Sequence, residues 1–239
     1  MKQYDKHSVT RFIGHFTERE NDISSIVCNS PEILKKILYF TIIDALSKSA
    51  FPDINNNKAR FVKTLIEFSE WYDGERISLP FLYNDIFDST NNNIEPLVKG
   101  VGEELKKWPV QTPAQIELSC DSHVHSLLSL IKHKDKKDEL SYIEMIEKFS
   151  HYNLLWEYRN CIIHEFRQPG YGHELEGDDF PFYQGAVGKD EIRLCYPVQF
   201  IANLIEQVLK NLEKHFINNQ INPYNSFKYG AFWNKKRNH

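Results

Sequence analysis

The segment from Ser30 to Ser49 constrains this fold more than any other. Ser30-Pro31-Glu32 reads as an N-cap, a proline at the first helical position and an acid in the first turn. Beyond it, Ile33, Leu34, Ile37, Leu38, Phe40, Ile42, Ile43 and Leu46 are apolar nearly all round the helix. A helix without a polar face belongs at the centre of a structure, covered by other elements on every side. One residue breaks the pattern. Helical spacing places Asp44 between Ile33 and Ile37, a charge where apolar side chains belong.

The remaining signals are mostly helical too. Lys58 to Tyr72 carries a stripe at Phe61, Leu65, Phe68 and Tyr72, one buried face. A short helix fits Leu79–Phe87, Asn91-Asn92-Asn93 reads as a loop, and Gly100 and Gly102 interrupt the segment after it. Thr112 and Gln115 stand in capping-box positions and predict a helix to about Ile131, buried through Ile116, Cys120, Val124, Leu127 and Ile131. Residues 139–167 form one long helix or two joined near Ser150, stopped by Gln168-Pro169-Gly170. Residues 169–195 hold the only strand candidates, a hairpin near Phe182–Leu194, and Pro197 opens a last strong helix to about Phe216. The expected fold class is therefore all-α, a helical bundle with an elaborated loop or small hairpin before the last long helix. We read residues 1–239 as a single domain, with 1–29 an N-terminal extension and 222–239 a C-terminal tail.

Composition excludes several function classes. A net charge of −4 and a pI of about 6.2 do not suit a protein that coats duplex DNA through phosphate neutralisation. Cys28, Cys120, Cys161 and Cys195 lie far apart and form no CxxC pair, so neither a disulfide framework nor a zinc site is expected; reduced, buried thiols are. The histidines form no His-Glu-x-x-His pattern, and the glycines at 170, 172, 177, 185 and 188 form no phosphate cradle. No cofactor and no metal are expected. The longest apolar runs are too short to span a bilayer, so no membrane partner is expected and the location implied is cytoplasmic. The basic connector 132–137 and the basic, aromatic tail (Lys235, Lys236 and Arg237 among Tyr229, Phe232 and Trp233) read as solvated or packed surface rather than as binding sites.

The second anomaly lies in helix 150–167. On a helical wheel Tyr152, Leu155, Trp156, Ile162, Ile163 and Phe166 make one apolar arc, and Arg159 falls inside it. A guanidinium facing a core or an interface keeps its proton and needs an anion. Asp44 supplies one in a buried ion pair that fixes helix register, or a ligand supplies it. Asn160 and His164, one turn apart, sit at the edge of the arc.

The run Arg159-Asn160-Cys161-Ile162-Ile163-His164, late in an all-α chain and succeeded by a loop and a final helix, resembles the HEPN motif: an Arg, four to six residues of which the first is commonly polar, and a His. Tyr39-Phe40-Thr41-Ile42-Ile43-Asp44 with Asn57-Lys58-Ala59-Arg60-Phe61 more loosely resembles bacterial and phage-defence members of that group. The resemblance implies a metal-independent endoribonuclease of toxin–antitoxin or phage-defence type. Its implied partners are an RNA substrate, a second copy docked through the motif helix, and an antitoxin or regulatory protein. The implied site is Arg159, which holds the scissile phosphate, Asn160, which orients the imidazole or the phosphate, and His164 as general acid or base. A homodimer fits the wheel, on which Arg159 and His164 diverge by about 140°, poorly closing round a phosphate within one chain. The alternative is a non-catalytic HEPN-like helical module binding a nucleotide or a protein partner, with Arg159 and Asp44 structural. A buried pair with His164 packed away from any cleft would favour that alternative.

Overall fold

The computed structural model describes residues 3–87, 93–108, 115–131, 136–169, 174, 177–185 and 192–227. Nine α-helices occur among them: α1 (Lys6–Ser24), α2 (Pro31–Ala50), α3 (Asn57–Phe68), α4 (Leu79–Ile86), α5 (Glu95–Leu105), α6 (Val124–Leu128), α7 (Lys136–Glu147), α8 (His151–Glu165) and α9 (Val198–Asn218). The strands are short: β1 (Arg76–Ile77), β2 (Gln115–Glu117), β3 (Ser122–His123), β4 (Phe182–Gly185) and β5 (Ile192–Cys195). The fold is mostly α.

α2 is the central helix, packed against α1, α3, α8 and α9. Tyr39, Phe40, Ile43 and Leu46 are essentially sealed from solvent, as a helix apolar all round requires. Each full burial of this kind stabilises the fold by about 1.5–3 kcal/mol. The segment expected as an N-terminal extension is instead part of the bundle. Asp5 caps α1 through the amides of His7 and Ser8, and α1 buries Val9, Phe12 and Ile13.

Several expectations are corrected. Of the helix predicted from Thr112 to about Ile131 only Val124–Leu128 (α6) is α-helical: Gln115–Glu117 instead pairs antiparallel with β4, which pairs with β5 in the foreseen hairpin. At Ile116 hydrogen bonding along an open strand outweighs the helical spacing. Thr112 itself, with residues 132–135 of the connector and 228–239 of the tail, lies outside the described residues. α3 stops at Phe68 because Glu70 takes a left-handed conformation (φ 53°), which leaves Tyr72 exposed rather than in the buried stripe. Residues 139–167 form two helices, and Ser150 caps the second by accepting from the Asn153 amide. Gly100 and Gly102 lie within α5 and do not interrupt it. Cys28 and Cys120 are exposed, contrary to the buried thiols expected.

Charge also enters the core. The Lys36 side chain is wholly buried, donates to the Tyr158 hydroxyl at 3.0 Å and pairs with Glu174 at 3.2 Å. The other Glu174 oxygen accepts from the Val198 amide at the start of α9, at 2.7 Å. One carboxylate thus neutralises a core ammonium and caps a helix. No helix among the described residues is long and apolar enough to cross a membrane.

α8 enters the bundle beside a tight turn at Gly74. A Cβ there would lie 2.4 Å from the Tyr152 ring. That ring has little freedom, because its hydroxyl donates to the Trp71 carbonyl at 2.6 Å. Gly74→Ala is therefore expected to cost about 2 kcal/mol through overpacking, lowering the melting temperature by roughly 4–8 °C. An unchanged thermal transition would show that the turn yields without cost.

Candidate active site

Arg159, Asn160 and His164 occupy the last turns of α8, where it packs against α2 and α3. The pairing suggested by the two misplaced charges is present: Arg159 Nη2 bonds to Asp44 Oδ2. The Arg159 side chain is 12% exposed and that of Asp44 30%, so the pair is neither sealed nor free. Arg159 Nη1 donates to Asn160 Oδ1 at 2.9 Å and lies 3.5 Å from His164 Nε2. The guanidinium carbon sits 4.7 Å from the centroid of the Trp156 ring, a cation–π contact. Arg159 Nε is buried and finds no acceptor among the described residues. The cation is held by a carboxylate, an amide oxygen and an indole, with donors left over.

The structure brings the three motif residues together within one chain, contrary to the 140° divergence on an idealised wheel. A long arginine stem reaches along the helix and the wheel ignores that reach. His164 is exposed, while Arg159 and Asn160 are half-buried. α8 ends at Glu165, earlier than the Gln168-Pro169-Gly170 stop. Phe166 caps it in a left-handed conformation (φ 53°) and is 67% exposed, so Phe166 does not belong to the apolar arc.

Asp44 faces several cations. Burial pushes its carboxyl above the usual carboxylate range, against the hydrogen bond and charge of Arg159 and the charges of Arg60 and His164. Arg60, on α3, is anchored by donating to the Ile54 carbonyl at 3.0 Å and to Asn57 Oδ1 at 2.6 Å. Around one carboxylate there are two guanidiniums and an imidazole, a local surplus of positive charge in an acidic protein.

A cleft elsewhere on the molecule has the opposite character. It encloses about 790 Å³ and is lined by Glu70, Asp73, Glu117, Asp178 and Asp179 beside Trp71 and Tyr72. That many carboxylates repel a phosphodiester backbone. Among the described residues no three His, Cys, Asp or Glu side chains gather as a metal would require.

A second polar cluster escaped sequence reasoning. His151 and Asp121 are fully buried and joined at 2.7 Å, and the Tyr183 hydroxyl donates to Asp121 and lies 2.7 Å from Ser78 Oγ. Asp121 Oδ1 accepts from the Leu79 amide at 2.8 Å, and the Tyr196 hydroxyl lies 3.2 Å from His151 Nδ1. Burial and the neighbouring Asp121 hold the Tyr183 hydroxyl well above its ordinary range. The cluster is saturated and closed to solvent, so it joins α4, α8 and the sheet rather than meeting a substrate. No spacing rule connects residues at 78, 121, 151 and 183, which explains why the pattern stayed hidden.

Comparisons with protein-family models, with curated proteins and with solved structures returned no match.

The two clusters respond differently to substitution. Asp121→Ala strands His151, Tyr183 and the Leu79 amide, and is expected to cost about 3–5 kcal/mol, read as a lowered denaturant midpoint; a loss under about 1 kcal/mol would contradict the network's structural role. For Asp44 the sign runs the other way from an ordinary ion pair. Its folded carboxyl is raised, so the folded chain holds a proton that the unfolded chain has released. The wild type's stability relative to Asp44→Asn should therefore decline as pH rises above about 4 through the folded value. A widening advantage on melting curves taken between about pH 4 and 8 would show that pairing outweighs burial.

Proposed function

We propose that this chain is an endoribonuclease of the HEPN type, cleaving RNA without a metal through Arg159, Asn160 and His164. One observation carries the reading: an exposed His164 stands 3.5 Å from a guanidinium that is oriented by Asp44, Asn160 and Trp156 and still has donors to spare. A phosphodiester needs such a pair. Arg159 binds the scissile phosphate and stabilises the charge that builds on it. His164 moves a proton at the 2′- or 5′-oxygen, and Asn160 holds the geometry of both. The product is a 2′,3′-cyclic phosphate or its hydrolysed form, and DNA, without a 2′-hydroxyl, is spared. By resemblance the chain works in the cytoplasm as a homodimer through α8, in a toxin–antitoxin or phage-defence setting with an antitoxin or regulatory protein.

A second reading has its own support. The Asp44–Arg159 pair neutralises Arg159 without a ligand, as a non-catalytic helical module binding a nucleotide or protein partner would do. His164 faces solvent beside the Arg159 guanidinium, where one phosphodiester can reach both, and this supports the ribonuclease reading.

The two separate in one assay. Purified protein is incubated with total RNA in EDTA beside His164→Ala and Arg159→Ala. The expected result is cleavage by the wild type and a loss of about 10²–10⁴-fold in each variant. Equal behaviour of all three proteins selects the non-catalytic module.

A further inference from the structure

Transfer of an RNA phosphate to its own 2′-oxygen needs two proton movements, one off the nucleophile and one onto the leaving oxygen. His164 supplies one group. In a dimeric cleft the other would come from the second copy, but this chain holds a closer one. We propose that Asp44 is the second proton-transfer group of the site, taking the 2′-hydroxyl proton while His164 delivers a proton to the departing 5′-oxygen. This rests on the ribonuclease reading and goes beyond it by assigning the base and by completing the site within a single protomer.

The arrangement of α2 against α8 carries the assignment. Arg159 touches Asp44 through Nη2 and approaches His164 through Nη1, so a carboxylate and an imidazole flank one phosphate-binding cation. Oδ2 of Asp44 is engaged by Arg159, while Oδ1 accepts no hydrogen bond from the described residues. The side chain keeps 30% exposure, enough to meet a ribose. Arg159 Nη1, which donates one N–H to Asn160 and turns toward the exposed His164, keeps its second N–H for a phosphoryl oxygen while Nη2 stays on Asp44. The titratable groups facing Asp44 are Arg159 and His164 of α8 and Arg60 of α3. A carboxyl raised by burial is also a better proton acceptor than an ordinary one.

The step balances. Asp44 Oδ1 takes the proton from the 2′-hydroxyl as the O2′–P bond forms. The P–O5′ bond breaks, and the proton of the His164 imidazolium passes to O5′. The products are a 2′,3′-cyclic phosphate and a 5′-hydroxyl, with Asp44 protonated and His164 neutral. Exchange with solvent resets both groups.

The leaving group distinguishes a base from an acid. Cleavage sites are first mapped in total RNA, and an oligonucleotide of that sequence is made with oxygen or with sulfur at the 5′-bridging position. Sulfur departs without a proton. His164→Ala is expected to lose about 10²–10⁴-fold on the oxygen substrate and to recover most of it on sulfur. Asp44→Asn is expected to lose a similar factor on both substrates and to lose the acidic limb of the pH–rate profile. Asp44→Glu, which keeps a base, should restore part of the rate and the acidic limb, and this separates proton transfer from a folding defect. Rescue of Asp44→Asn by sulfur, or a rate within about twofold of wild type on the oxygen substrate, overturns the assignment. A wild type that cuts no RNA takes the ribonuclease reading down with it, whereas an active wild type with an indifferent Asp44 removes this inference alone.

Discussion

A helix with no polar face has to be surrounded, and α2 is enclosed by α1, α3, α8 and α9. Much else depends on that enclosure. Glu32 and Lys48, near the two ends of α2, stay exposed, but a charge in its enclosed stretch is drawn inward and is answered by a charge from a neighbour. Lys36 is answered by Glu174 and Asp44 by Arg159. The second answer fixes the register of α8 against α2, and it thereby fixes where Asn160 and His164 emerge.

The molecule holds two polar clusters of opposite kind. Around Asp121 and His151 the hydroxyl, carboxylate and imidazole groups use one another up, with no solvent access. Such a network specifies a packing arrangement and resists change. Around Arg159 the bonding is incomplete: Nε lacks an acceptor among the described residues, Asp44 is partly exposed and His164 is open. A partly exposed carboxylate and an open imidazole beside a cation are what a ligand can use, so the proposed catalysis belongs to the second cluster even though the first resembles a triad more closely.

Much of this was legible from residue order. α2 and α9 are readable from the prolines near their starts and from periodicity because their apolar patterns are dense and agree with local propensity, although Ser30 makes no side-chain cap bond on α2. The Asp44–Arg159 contact was readable for the same reason: two charges on two apolar arcs have few other places to go. What failed depended on distant partners. Gln115-Ile116-Glu117 becomes a strand only because Phe182–Gly185 arrives beside it. α3 ends at a left-handed Glu70, which nothing local announces. The approach of His164 to Arg159 depends on rotamers, which a wheel does not represent. Asp121, His151 and Tyr183 assemble only in three dimensions.

Glu174 carries a consequence for anyone shortening this chain. It belongs to the long connection between α8 and the hairpin, a stretch that invites trimming as dispensable surface. Yet its carboxylate balances the ammonium of Lys36, whose side chain is 0% exposed, and it caps α9. Removing it would leave a buried cation with only the Tyr158 ring and hydroxyl beside it and an unanchored helix start. A deletion there would behave as an interior lesion, with misfolding or poor yield as its symptom, although no residue of the helical bundle had been altered.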